Sequence, residues 1–309
     1  MRVILDCDPG HDDAIAIILA ASKISPLEIV GITTVSGNVS VEKNTLNALK
    51  ICDVVGLTDV PVAQGMPRPM YREVKSAEAI HGETGLDGPD LPENPHTKQI
   101  DQHAVDFIIE QLTHTTEPIT LVPTGPLTNI GMALVKEPAI KKNIKEIVLM
   151  GGGTYGNWTP AAEFNIYVDP EAAKTVFNSG VPIKMFGLNV THTVLATDET
   201  VNDLKQIDNP VAAFVSELLA FFIQSYKDHF DFPGGAVHDA CTVAHLIDPS
   251  IFTFEHVHVD VETKGDLTYG MTIIDRLGVG ENEPNVHFAS GLDHEKFWSL
   301  FRNAIASYS

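Results

Sequence analysis

Asp6-Cys7-Asp8-Pro9-Gly10-His11-Asp12-Asp13 sets four carboxylates within eight residues, between the apolar run Val3, Ile4, Leu5 and a helix-like run over 14–20. Two like charges ~4 Å apart repel by about 4 kcal/mol at an effective dielectric of 20, so such crowding calls for a cation. Side chains alternate along a strand, which is expected to put Asp6 and Asp8 on one face of its end. Pro9-Gly10 then turns the chain, and Asp12 and Asp13 open a helix. A helix cap explains one such acid, since free amides and the helix dipole favour it, but not four. Hard oxygen donors with no Cys or His at zinc spacing point to Ca²⁺ or Mg²⁺.

Outward from this stretch the chain alternates strand and helix. The run 27–34 is apolar enough for a strand covered on both faces and ends at Ser36-Gly37-Asn38; 41–55 has helical spacing, and 60–63 begins a short strand. This pattern predicts an α/β fold: a single domain over 1–309 with a mostly parallel, Rossmann-like central sheet flanked by helices. Ligands of such sheets bind beyond the carboxyl ends of the strands, where the Asp8 turn, Asn38 and Thr124 all fall. Residues 67–95 form a long Gly- and Pro-rich loop around His81-Gly82-Glu83-Thr84-Gly85-Leu86-Asp87-Gly88, and the apolar Ile80 and Leu86 within it suggest a docked flap.

Asp101 is expected to cap a helix reaching 114, followed by a strand over 119–122. The strand 144–150 runs into Gly151-Gly152-Gly153-Thr154-Tyr155-Gly156, a formal match to the dinucleotide pattern G-x-G-x-x-G. That fingerprint needs a helix beginning within the glycines, and Asn157-Trp158-Thr159-Pro160 follows instead. The loop is expected to continue through Asn165, leaving Asn157, Glu163 and Asn165 as polar ligands, before Asp169-Pro170 starts a helix. A strand over 182–186, a polar turn over 188–192 containing Asn189, and helices over 199–207 and 211–229 come next. Phe214, Leu218 and Phe222 are read as core. His238-Asp239 opens a helix to 246; taken alone, these two read as core polarity and an N-cap. His256 and His258 read as the solvent face of a strand.

Composition excludes several classes. A net charge of −21 leaves no basic surface for nucleic acid or an anionic membrane. No apolar run reaches membrane-spanning length, and the chain enters its first strand without a signal-like segment, so a soluble cytoplasmic protein is expected. Cys7, Cys52 and Cys241 make an odd count without a paired motif and are expected to be reduced and buried.

The chain resembles the inosine-uridine-preferring nucleoside hydrolase family through 6–13, Gly37-Asn38, 81–88, 123–129, 150–152, 162–165 and His238-Asp239, in family order. The resemblance implies hydrolysis of the N-glycosidic bond of ribonucleosides to ribose and free base, in nucleoside salvage or catabolism. It implies Ca²⁺ held by Asp8, Asp13, Asp239 and the Thr124 carbonyl, with Asp8 as general base for a calcium-bound water that Asn38 orients. By the same analogy Asp12 and Asn165 bind the ribose 2′-hydroxyl, Asp239 the 3′-hydroxyl, and Asn157 with Glu163 the 5′-hydroxyl. Met150 and Asn189 complete the implied substrate-binding residues. His238 and His81 are candidates to serve the departing base. Tyr226, His229 and Phe230 read equally as base contacts or as packing at a helix end. A homodimer or homotetramer is implied. Two rivals stand beside this reading: a nucleoside-binding protein without turnover, and a metal-dependent phosphatase of the haloacid dehalogenase type, which would share Asp6-x-Asp8 but not the Pro-Gly-His-Asp-Asp that follows.

Overall fold

The computed structural model describes residues 1–308. In chain order its strands are β1 (Arg2–Cys7), β2 (Glu28–Thr34), β3 (Val62–Gln64), β4 (Gln99–Ile100), β5 (Ile119–Pro123), β6 (Ile144–Met150), β7 (Ile183–Phe186), β8 (Leu195–Ala196), β9 (Gly235–Ala236), β10 (Phe252–Val261), β11 (Thr272–Asp275) and β12 (Val286–Leu292). The helices are α1 (His11–Ala21), α2 (Val41–Val55), α3 (Glu78–His81), α4 (Ala104–His114), α5 (Thr128–Lys136), α6 (Phe164–Val168), α7 (Pro170–Phe177), α8 (Leu188–Thr191), α9 (Asp198–Leu204), α10 (Pro210–Phe230), α11 (Ala240–Ile247) and α12 (His294–Ala306).

Ten strands form one sheet in the order β11-β10-β12-β7-β6-β5-β1-β2-β3-β4. From β4 to β12 every pairing is parallel, and only β10 and β11 add antiparallel strands at one edge. The chain builds from β1 outward through β2, β3 and β4, then returns to the other side of β1 with β5. The order therefore reverses between β1 and β5, and the crevice above that switch point is where a parallel sheet leaves room for a ligand.

The two faces of β1 show why this strand is central. Val3, Leu5 and Cys7 enter the apolar layer that contains Ile15 and Ile18 of α1 and Leu218 of α10, while Ile4 enters the opposite layer with Phe107 of α4 and Ile130 of α5. All four are buried, so the strand reads as an unbroken apolar run. The single domain and mostly parallel sheet flanked by helices are as the alternating pattern predicts. Among the described residues no helix is long and apolar enough to cross a membrane. Cys7, Cys52 and Cys241 are buried and unpaired.

Several local expectations are corrected. Asp6 is drawn away from the cluster it was grouped with by its partners: its Oδ1 accepts from Thr33 Oγ1 (2.6 Å) and Asn129 Nδ2 (2.8 Å), tying β1 to β2 and α5. The helix before β5 is capped not by Asp101 but by His103, whose Nδ1 accepts from the Val105 amide at 3.2 Å. Asn165 lies not in a loop but in α6, which Glu163 caps by accepting from the Asn165 and Ile166 amides. The turn at 188–192 closes into α8. No helix begins within 151–156, so the G-x-G-x-x-G match carries no dinucleotide fold. β12, which joins the parallel sheet to its antiparallel edge, was not anticipated.

Candidate active site

The loops following β1, β2, β5 and β6 converge above the switch point on a cavity of about 350 Å³. Asp8 sits at the centre of its floor, 1% exposed. Its Oδ2 accepts from the Asn38 amide at 2.7 Å, and Asn38 Nδ2 donates to the Asp8 carbonyl at 3.0 Å. Gly37 and Gly125 close on this carboxylate from two loops: a β-carbon at either would collide with an Asp8 oxygen. Only glycine lets two backbones approach one buried acid this closely.

Asp13 is held by four donors. Its Oδ1 accepts from Thr124 Oγ1 (2.7 Å) and the Asp8 amide (3.3 Å), and its Oδ2 from the Gly10 amide (3.1 Å) and Asn38 Nδ2 (3.3 Å). The last of these loops thus reaches the helix that opens beside it, and the capping interaction at Gly10 is only one use of the acid. Asp239 heads α11 but makes no side-chain cap, so its carboxylate is free to turn to the cavity. Asp12, Asp13 and Asp239 each present an oxygen such that all three lie within 4.8 Å of one another, and all are buried.

Among the described residues no Lys or Arg lines the cavity. Burial, followed by the charge of Asp13, drives the Asp8 carboxyl well above its usual range; burial and then Asp12, Asp13 and Asp8 do the same to Asp239. Asp12 is pushed up to about 7 by burial and by Asp13. Buried like charges with no basic partner need an external counter-charge, and an all-oxygen donor set suits a hard divalent cation. The residues present therefore fit a metal. The compact group contains Asp12 where the resemblance implied Asp8; Asp8 and Thr124 line the same floor beside it.

One wall is polar. Glu163 is 3% exposed and accepts from the amides of Gly152 (2.8 Å), Asn165 (2.9 Å) and Ile166 (3.1 Å). Burial outweighs these donors and raises its carboxyl to about 7. Asn165 donates Nδ2 to the Thr124 carbonyl (2.6 Å) and the Met150 carbonyl (3.3 Å), and Asn157 Oδ1 accepts from the Phe164 amide (3.0 Å). Met150, Asn157, Glu163 and Asn165 all line the cavity, as expected. Asn189 does not: its Nδ2 donates to the Ala289 carbonyl at 2.9 Å, fastening α8 to β12.

The rim is aromatic and apolar. Tyr226 and Phe230 from the end of α10 reach it together with His229, while Ile80 and His81 arrive on the flap. Flap docking is real, with Leu86 3% and His81 7% exposed. His238 is held at both nitrogens, by Thr191 Oγ1 at Nδ1 and by the Tyr226 hydroxyl at Nε2, each at 2.7 Å. Burial, with His192 and His81 nearby, keeps its pKa well below the usual range. Sequence reasoning passed over Trp158 and Phe164 as lining residues; their position beside Asn157 and Glu163 was the available signal.

A parallel sheet carrying buried acids at its switch point, beneath an aromatic rim, is the framework of an α/β enzyme built to hold a cation beside a small polar ligand. A family model described as inosine-uridine preferring nucleoside hydrolase matches residues 3–299, and the chain belongs to that family. It is 48% identical over 309 residues to the pyrimidine-specific ribonucleoside hydrolase RihA of Photobacterium profundum, covering 99% of both chains. It is 47% identical over 311 residues to the protein of the same name from Shewanella woodyi, covering 99% of this chain and 98% of that one. Among solved structures, the purine-preferring ribonucleoside hydrolase from Gardnerella vaginalis superposes with a TM-score of 0.92 at 35% identity, covering 100% of this chain and 99% of its own. The protein is a nucleoside hydrolase, acting on N-glycosyl bonds.

Proposed function

We propose that this enzyme hydrolyses pyrimidine ribonucleosides to ribose and free base, with Asp8 as general base and Ca²⁺ as the cation. The observation that carries the reading is one cavity lined both by buried carboxylates and by aromatic side chains, which suits a sugar joined to a base. Preference for pyrimidines is supported by the names of the relatives at 47% and 48% identity, against the purine-preferring structural neighbour at 35%.

Asp13 and Asp239, with Asp8 and the Thr124 carbonyl on the same floor, would hold the ion. When bound, Ca²⁺ would supply Lewis-acid chemistry, polarising the attacking water and anchoring ribose hydroxyls. The chain's own residues do the rest. With Asp8 Oδ2 committed to the Asn38 amide, Oδ1 is the oxygen available to take the water's proton. Asn165 spends its nitrogen on two carbonyls, which leaves its oxygen for the 2′-hydroxyl alongside Asp12, while Asn157 and Glu163 take the 5′-hydroxyl. Cleavage of an N-glycosidic bond develops positive charge on the sugar, and this ring of anionic and carbonyl oxygens opposes it.

Departure of the base is served by His81 and by His238, which lines the cavity beside Tyr226 and is joined to its hydroxyl through Nε2. Buried, reduced thiols suit a cytoplasmic enzyme. A homodimer or homotetramer is proposed for the assembly. The test is release of free ribose from uridine, cytidine, inosine and adenosine by the pure protein with Ca²⁺ present. Uridine and cytidine should exceed the purine nucleosides by about tenfold or more. Equal or higher purine rates would overturn the base preference, and tight nucleoside binding with no ribose released would favour the binding-protein reading.

A further inference from the structure

His11 stands between the acids of the opening motif, yet it does not line the cavity. It is fully buried, its ring stacked on Phe221 (centroids 5.2 Å, planes 5° apart) and on Phe222 (5.0 Å, 4°). Its Nε2 lies 2.9 Å from the Asp87 carbonyl. A carbonyl only accepts, so Nε2 carries a hydrogen. On the other side of the ring, Nδ1 lies 3.2 Å from Nδ1 of His81, and the His11 backbone amide lies 3.3 Å from the same atom.

With its hydrogen on Nε2 the neutral His11 ring can only accept at Nδ1, so His81 Nδ1 either donates to that ring or accepts from the His11 amide, not both, and in each case Nε2 is the nitrogen His81 has left for the cavity it lines. The contact is close enough that a β-carbon on Gly10 would come within 2.5 Å of His81 Nδ1. The Asp87 carbonyl is itself fixed, because the Asp87 carboxylate accepts from the Glu83 and Thr84 amides at 3.1 Å and from the Thr84 hydroxyl.

We propose that His11 is a positioning residue for departure of the base: it orients His81 so that Nε2 meets the base, and it ties that orientation to the helix bearing Asp12 and Asp13. The flap and the helix bearing the acids are then one assembly, joined through two imidazoles whose ring centroids lie 5.4 Å apart with planes tilted by 31°. This rests on the reading in which His81 serves the leaving base.

The test compares uridine with p-nitrophenyl riboside, whose leaving group needs little help. His11→Phe keeps a flat ring between Phe221 and Phe222 and removes both ring nitrogens. Its kcat on uridine should fall about tenfold or more, while p-nitrophenyl riboside changes by less than about threefold. His11→Asn, which keeps a polar atom near Nδ1, should recover part of the uridine rate. In a His81→Ala background, His11→Phe should cost nothing further on uridine. Equal losses on both substrates, or additive losses in the double variant, would overturn the proposal and leave His11 a packing residue. Should His11→Phe fail to fold, Asp87→Ala, which loosens the turn bearing the carbonyl, is read by the same substrate comparison. Failure of the underlying reading is distinguishable, since His81→Ala alone would then slow uridine and p-nitrophenyl riboside equally.

Discussion

Glu163 illustrates how one residue carries both structure and site. Its two oxygens cap α6 and the Gly152 amide while it also lines the sugar side of the cavity. Its carboxyl is raised from 4.5 to about 7, so between those values the folded protein keeps a proton that the unfolded chain has lost. Stability from this group is therefore full below pH ~4.5 and is lost as pH rises through about 7, by about 3 kcal/mol. Glu163→Gln should be less stable throughout, because an amide nitrogen cannot accept from those backbone groups. In metal-free protein its melting temperature should nevertheless fall less between pH 5 and 8 than that of the unaltered chain. An unchanged slope in thermal melts across that range would assign the proton elsewhere, with Asp6 the next buried acid, also raised to about 7.

At the scale of elements, the site depends on a flap that is stitched rather than draped. Asn47 of α2, 2% exposed, donates Nδ2 to the Pro9 carbonyl (3.0 Å) and the Thr84 carbonyl (2.9 Å), joining the β1 turn to the flap. Ser225 of α10 donates to the Ile80 carbonyl at 2.7 Å. Asn47→Ala would leave two carbonyls without this donor, so it should cost about 2 kcal/mol of stability and raise KM for uridine about tenfold. A KM unchanged in steady-state assays would mean that the flap holds its place without this link.

These elements also mark the limit of what was legible in the chain. β1, β2 and β6 announce themselves because strands buried on both faces must be apolar throughout, and α2 because its apolar residues recur at helical spacing. The short helices α6 and α8 were read as loop: one turn is too short for a period, and α6 is fixed by the Glu163 cap. Asp6 was grouped with its neighbours because spacing shows how close acids are, not that Thr33 and Asn129 claim one of them from across the sheet. Asp8, Thr124 and Asp239 line one cavity with Asp12, and Asp13 joins Asp12 and Asp239 in the compact acidic group, whereas Asn189 was assigned by likeness and serves Ala289 instead. The contact of the Tyr226 hydroxyl with His238 Nε2 joins two positions twelve apart through a loop, and no local pattern carries that information.

For the whole molecule, the sheet's reversal between β1 and β5 gathers acids from both ends of the chain at one point. Asp12 and Asp13 lie near its start and Asp239 far beyond them, yet they share one buried group, and among the described residues no Lys or Arg lines the cavity. The net charge of −21 is mostly a solvated surface, but this part of it is confined and needs a counter-charge. Stability and turnover should therefore share one requirement. The measurement that bears most directly on this is ribose release from uridine by protein stripped of metal with a chelator, then titrated with Ca²⁺, with the melting temperature followed in the same samples. The stripped enzyme should lose at least about 99% of its activity, and saturating Ca²⁺ should restore it. Restoration should raise the melting temperature by about 5 °C, as binding to the folded state alone requires. Full activity in the stripped protein, with no change in melting on adding Ca²⁺, would contradict the carboxylate floor as a cation site.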